Sequence, residues 1–336
     1  MSRLLGLTER EIFSLITTGD KPLLERKYFD DAAVIPTQNS GSLVIASDFI
    51  RGPHFNLAEA GHLSFFDLAH YLVAANVSDI AAMGVKPFGL LDIFRYPKDT
   101  PAHIKEEFFA GLADAAKRFD VRIVGGDTGG YVSFVISATC FGFAQGGRIL
   151  KRNAAAPGQI LCLAGSAGRC RAAQKALLGV GSRPVSSDIA ERLLGSWRRP
   201  SPPIDFSVWL ATNSLAYAGQ DTSDGLGNAI ADICEHSGLQ IRLEDIDHLV
   251  DDDVRHVAEC FEVSALELAM SVSPDFGLLF SANEEDLDSI RANPFEQAVT
   301  ELGKFQKGDG AYLLSDALGT RKLPLESYDH LHNLKS

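Results

Sequence analysis

Two spacings of apolar residues alternate along the 336-residue chain. "EREIFSLI" has the spacing of a short amphipathic helix. "AAVIP" and "SLVIASD" are short β-type runs, separated by the turn-forming "TQNSG". "SFFDLAHYLVAANVSDIAAMG" repeats its apolar positions at helical spacing and stops at Gly84. "FGLLDIFRYP" reads as a strand that ends at Pro97. "TPAHIKEEFFAGLADAAKRF" reads as a helix, with Thr100 as N-cap and Pro101 in the first turn. "VRIVGGD" and "SFVISATCFGFA" read as two further strands.

"KRNAAAPGQ" holds few large apolar residues, and "ILCLAGS" then starts a new strand. This places a boundary near residue 148, with domains at 1–148 and 149–336. "RRPSPPIDF" reads as a loop, because its three prolines interrupt both helix and ladder. Beyond it come a helix opened by "DTSDGL", the strand "LQIRLE" and the strand-like "FGLLFSA". Strands and helices mix in both halves, so the expected fold class is α+β in two domains.

Composition narrows the classes. Hydrophobic residues make up 46% and charged residues 22%, a globular balance. The formal net charge of −13 argues against nucleic acid and anionic membranes, which select basic surfaces. The five cysteines are odd in number and form no C-x-x-C, so they read as reduced, buried thiols. The start lacks the apolar core of a signal peptide. The longest apolar region is broken by His70, Asn76 and Asp79, so no membrane span is expected. The expected setting is the cytoplasm.

The chemistry lies in the acids. Asp30 and Asp31, Asp48, Asp79, Asp127, and Asp221 with Asp224 each close an apolar run or open a helix. A single Asp in such a place commonly caps a helix or forms a turn. Several in glycine-rich or apolar settings, each without a nearby basic residue, repel one another unless cations bind. Carboxylate oxygens suit Mg2+, which accompanies substrate phosphates. Asp79 lies among alanines and Ile80, a costly place for an unpaired charge. "VGGDTGG" fits either close approach to a polyphosphate or a tight turn. The dense acidic run "EDIDHLVDDDV" reads as a solvated face. The chain has no P-loop signature, no complete dinucleotide fingerprint and no zinc-hydrolase spacing.

Taken together, "DDAAV", "SDFIRGPHF", "NVSDIAAMG", "IVGGDT", "GRILKRNAAAPG", "RRPSPPI", "DTSDGL" and "YDHL" resemble, in this order, the thiamine-monophosphate kinases of the aminoimidazole ribonucleotide synthetase superfamily. The resemblance spans nearly the whole chain. It implies an N-terminal domain that pairs with its twin in a homodimer through a β-barrel-like interface. It also implies an α/β layered C-terminal domain, with ATP and Mg2+ in the cleft between. Position by position, it implies metal binding at Asp31, Asp48, Asp79, Asp127, Asp221 and Asp224, with Ser47 supplying a hydroxyl. It implies ATP contacts at Gly126, Asp127, Arg152 and Ser223, with Phe109 where the family has Tyr. It implies substrate contacts at His54, Tyr328 and Asp275, and catalytic roles for Asp224 and Arg152.

The implied reaction is ATP- and Mg2+-dependent phosphorylation of thiamine monophosphate to the diphosphate. Phe29 replaces a family glycine, and "SVSPDFGLLF" carries Val272, Ser273 and Pro274 where the family has Gly-Gly-Glu. Two other readings stay open on the residues. One is a diverged kinase acting on another small amide, carboxylate or phosphate acceptor. The other is a non-catalytic nucleotide-binding dimer.

Overall fold

The structure, a computed structural model, describes residues 30–37, 41–244, 249–308, 312–316 and 319–322. The expected first helix and Phe29 lie outside these residues.

The N-terminal half builds a five-stranded sheet. Strand β1 (Ala33–Pro36) pairs with β2 (Ser42–Ile50). The chain then enters helix α1 (Phe65–Ala82), strand β3 (Pro87–Tyr96), helix α2 (Ala102–Arg118), strand β4 (Arg122–Gly130) and strand β5 (Val135–Ala144). Strand order is β1-β2-β5-β3-β4, and only β3 and β4 run parallel.

Helix α1 starts in a capping box. The Ser64 hydroxyl accepts from the Asp67 backbone N–H, and the Asp67 carboxylate accepts from the Ser64 backbone N–H. The helix ends where Gly84 takes φ +74°, the left-handed region that favours glycine. Between Leu68 and Met83 every residue is buried except Asp79. Asp79 is thus the one residue of this buried stretch that keeps partial access to solvent.

The second half builds a seven-stranded sheet. Its elements are β6 (Ile160–Ala164), α3 (Arg169–Leu178), α4 (Ser187–Arg198), α5 (Ile204–Thr212), β7 (Gly219–Asp221), α6 (Leu226–Ser237) and β8 (Leu239–Glu244). They continue with α7 (Asp252–Phe261), α8 (Ala265–Met270), β9 (Leu278–Ala282), α9 (Leu287–Arg291), β10 (Val299–Lys307), β11 (Tyr312–Asp316) and β12 (Gly319–Lys322). Strand order is β12-β11-β8-β10-β6-β9-β7. The fold is α+β in two domains, as expected. The all-buried strands β6 and β9 lie side by side in the second sheet, between β10 and β7.

Four local expectations are corrected. Helix α2 starts one residue late: Pro101 sits at its N-cap, with no side-chain cap bond, and Thr100 is a buried turn residue. "VGGDTGG" forms neither a turn nor a loop but most of strand β4. A Cβ at Gly126 would overlap the carbonyl oxygen of Asp92 on β3, so close strand packing accounts for that glycine. The "IDF" of "RRPSPPIDF" is already helical, because α5 begins directly after Pro203. The acidic run is not simply solvated. Asp251 accepts from the Val254 N–H as the N-cap of α7 and pairs with Arg169, while Asp253 pairs with Arg192 at 2.6 Å. Leu249 and Val250 within it are buried.

All five cysteines are buried and free. Burial pushes the thiols of Cys140, Cys162 and Cys234 up to about 12, so they stay protonated. No helix among the described residues is long and apolar enough to cross a membrane.

Candidate active site

The two sheets meet at a group of carboxylates. Asp31 lies just before β1, Asp79 lies in the last turns of α1, and Asp221 ends β7. One carboxylate oxygen from each lies within 4.8 Å of the others. Strand ends and a buried helix hold these carboxyls on rigid backbone, which suits a binding site.

Each carboxylate has its own surroundings. Arg152 donates to Asp31 Oδ1 at 2.5 Å, and its other terminal nitrogen lies 3.5 Å from Asp232. The Asp31 side chain is 2% exposed, and its Oδ2 is buried with no hydrogen-bond partner. Asp221 Oδ2 accepts from the Ser78 hydroxyl at 2.6 Å, and Oδ1 from the Ser223 hydroxyl at 2.7 Å. Asp30 accepts from the Arg152 backbone N–H at 2.8 Å, tying the start of the described chain to the linker between the sheets.

Electrostatics follow from burial. Loss of water pushes Asp31 up to about 7; Arg152 pulls it down and the Asp221 charge pushes it further up. Burial likewise raises Asp79 well above the usual carboxylate range, followed by the charges of Asp48, Asp221 and Asp31. A cluster that holds protons against neutral solution is one that a divalent cation relieves. The oxygen-only donor set and the unpartnered Asp31 Oδ2 fit a hard cation such as Mg2+.

The other expected residues are placed as follows. Asp48 on β2 is close enough for its charge to act on Asp79, and its backbone N–H donates to Asn76 Oδ1 at 3.3 Å. Its neighbour Ser47 donates to the Ala138 carbonyl at 3.0 Å. Asp224 is exposed in the turn before α6, outside the set of three, and its carbonyl accepts from Asn228. Asp127 and Gly126 lie on the exposed edge strand β4, where Asp127 pairs with Arg95. Phe109 is exposed on α2, edge-on to Phe94 and Phe108. His54 is largely exposed, 3.7 Å from Glu59. Tyr328 lies outside the described residues.

Asp275 borders a cavity of about 140 Å3 lined by Ser166, Arg169, Arg199, Ser201 and Gly277. Its carboxylate accepts the N–H groups of Gly168 at 2.6 Å and Cys170 at 2.9 Å, at the start of α3. The Ser273 hydroxyl accepts the Arg171 N–H at 3.0 Å. The altered loop thus anchors a helix N-terminus, a task for which Asp and Ser are suited.

Sequence reading did not single out Ser78 or Asp232 for the site. Ser78 directly precedes Asp79, and Asp232 lies within the helix that follows "DTSDGL", but their partners come from distant parts of the chain. Only the fold brings them in.

Residues 29–144 match the family described as AIR synthase related protein, N-terminal domain. The chain is 31% identical over 287 residues to a thiamine-monophosphate kinase of Methanopyrus kandleri, covering 85% of this chain and 84% of that one. It is 27% identical over 291 residues to a thiamine-monophosphate kinase of Synechococcus elongatus, covering 80% and 86%. In fold it is similar to AaThiL complexed with AMPPCP and TMP, with a TM-score of 0.81, 24% identity and 98% of both chains covered. With 31% identity to a curated relative over 85% of its length, the chain belongs to the thiamine-monophosphate kinase family.

Proposed function

We propose that the protein transfers the terminal phosphoryl group of ATP to thiamine monophosphate, giving thiamine diphosphate and ADP. The observation that carries this reading is the 31% identity to a thiamine-monophosphate kinase across most of both chains. The clustered carboxylates Asp31, Asp79 and Asp221 support it independently, because phosphoryl transfer needs charge screening and positioning more than covalent chemistry. An acceptor phosphate oxygen forms a bond to the γ-phosphorus in line with the breaking bond, whose electron pair leaves on ADP. The acceptor phosphate is largely dianionic near neutral pH, with a second pKa of about 6, so no general base is required.

Asp31, Asp79 and Asp221 would hold Mg2+, which when bound screens the repulsion between the two phosphate-bearing substrates. Asp48, Asp127 and Asp224, with the Ser47 hydroxyl, extend the metal-binding set. Arg152 orients Asp31 through its charge-assisted hydrogen bond and stands next to the transferring group. Gly126, Ser223 and Phe109 contact ATP. His54, Tyr328 and Asp275 contact the acceptor.

Residues 1–148 serve as the ATP- and metal-binding and dimerisation domain, and 149–336 complete the cleft. Exposed Phe49, Leu91, Ile93, Ile123, Val124 and Phe143 on the first sheet support pairing with a second copy. Five buried free thiols suit the cytoplasm. The test incubates the protein with ATP, Mg2+ and a panel of acceptors led by thiamine monophosphate, and reads product mass. Thiamine diphosphate with equimolar ADP is expected. ATP consumption only with a different acceptor refutes the proposal.

A further inference from the structure

We infer that Ser78 is a positioning residue for the cation site, because its hydroxyl fixes Asp221 of the second domain against Asp79 of the first. The inference rests on the proposed cation-binding role of Asp31, Asp79 and Asp221.

Ser78 is 2% exposed on α1, and its Oγ donates to Asp221 Oδ2 at 2.6 Å across 143 residues of chain. Asp221 is also buried, at the end of the three-residue strand β7. A strand this short holds the backbone of Asp221 but leaves its carboxyl free to turn about its final torsion. The Ser223 hydroxyl restrains one oxygen at 2.7 Å, and Ser223 moves with the same turn. Ser78 is different, because it belongs to the helix that carries Asp79. Its bond therefore fixes the orientation of Asp221 relative to Asp79.

Carboxylate oxygens accept more than one partner, so each Asp221 oxygen can take a hydroxyl and still face the cluster. Neighbouring carboxyls repel, and without the hydroxyl the Asp221 carboxyl is free to turn away from Asp79 and Asp31. Groups that orient metal ligands typically change metal affinity by about 10–100-fold when removed.

The experiment compares the parent, Ser78→Ala and Ser78→Thr as full chains. Mg2+ binding is measured without ATP by calorimetry, and Tm is measured in EDTA. The expected result is about tenfold weaker Mg2+ binding in Ser78→Ala at an unchanged metal-free Tm, with the Thr hydroxyl restoring parental affinity. Parental Mg2+ affinity in Ser78→Ala overturns the inference while leaving the cation site standing. A drop in Tm that accounts for the lost affinity, or a Thr variant as weak as the Ala variant, also overturns it. A parent that binds no Mg2+ removes the cation site itself, and the inference with it.

Discussion

Asp31→Asn in the metal-free protein tests the electrostatics of the cluster most directly. The substitution preserves shape and leaves an oxygen to accept from Arg152, but it removes a titrating group. Burial raises Asp31 from 3.8 to about 7 in the folded protein. Above pH 3.8 the unfolded chain has released this proton while the folded chain keeps it. Stability from this group is therefore full below the unfolded value and is lost as pH rises to about 7. The slope in that window is about 1.4 kcal/mol per pH unit. Between pH 5 and pH 7 the parent should lose about 2 kcal/mol relative to the variant, because the slope falls to half at the folded value. At about 2 °C per kcal/mol for a chain of this size, the gap in Tm should change by about 4 °C. Thermal and urea unfolding in EDTA at several pH values read the difference. Saturating Mg2+ should flatten the parent's decline, because it binds the form that protons otherwise occupy. Parallel pH profiles for parent and variant in EDTA would refute the reasoning, since Asp31 would then ionise in the folded protein as it does in the unfolded one.

Asp224→Asn should keep the fold but lose ATP turnover and weaken Mg2+-dependent ATP binding; a variant turning over ATP at the parental rate removes Asp224 from the site. Gly225→Ala should lower stability by about 1–3 kcal/mol or more, because φ is +95° and a Cβ would overlap the Ser271 carbonyl. An unchanged unfolding midpoint would refute that. Sedimentation should show a dimer at micromolar concentration, and Phe49→Glu should dissociate it; a parental monomer would contradict the proposed role of the exposed sheet face.

The long elements were legible because their signals are local. Helix α1 carried its apolar spacing and its terminal glycine in one continuous stretch, and the structure follows it from Phe65 to Ala82. Asp31, Asp79 and Asp221 were named as candidate ligands, and the fold brings them together. Their grouping, however, depends on α1 lying against β7, and no local pattern encodes that contact. The glycines of β4 were open to several readings because a glycine needed for strand contact looks the same in sequence as one needed for a phosphate or a turn. The acidic run around Asp251 misled because its partners, Arg169 and Arg192, lie far away in the chain. Asp275 was legible as a residue of interest, but its bonds to the start of α3 are visible only in three dimensions.

The wide separation of the clustered acids has a consequence during synthesis. Ser78 and Asp221 stand 143 residues apart. At about 5–20 residues per second, roughly 10–30 s pass between the appearance of the first and that of the second. Throughout that interval the nascent N-terminal half carries Asp31 and Asp79 without the strand end that completes their ring. Arg152, the counter-charge to Asp31, also arrives late. The emerging half must therefore fold around protonated acids or leave them in water. The proposed capture of an ion would then be a late event in the life of the polypeptide, following assembly of the second sheet. Two separately made halves, mixed after synthesis, would acquire the ion only on joining, so ion uptake would report their reunion.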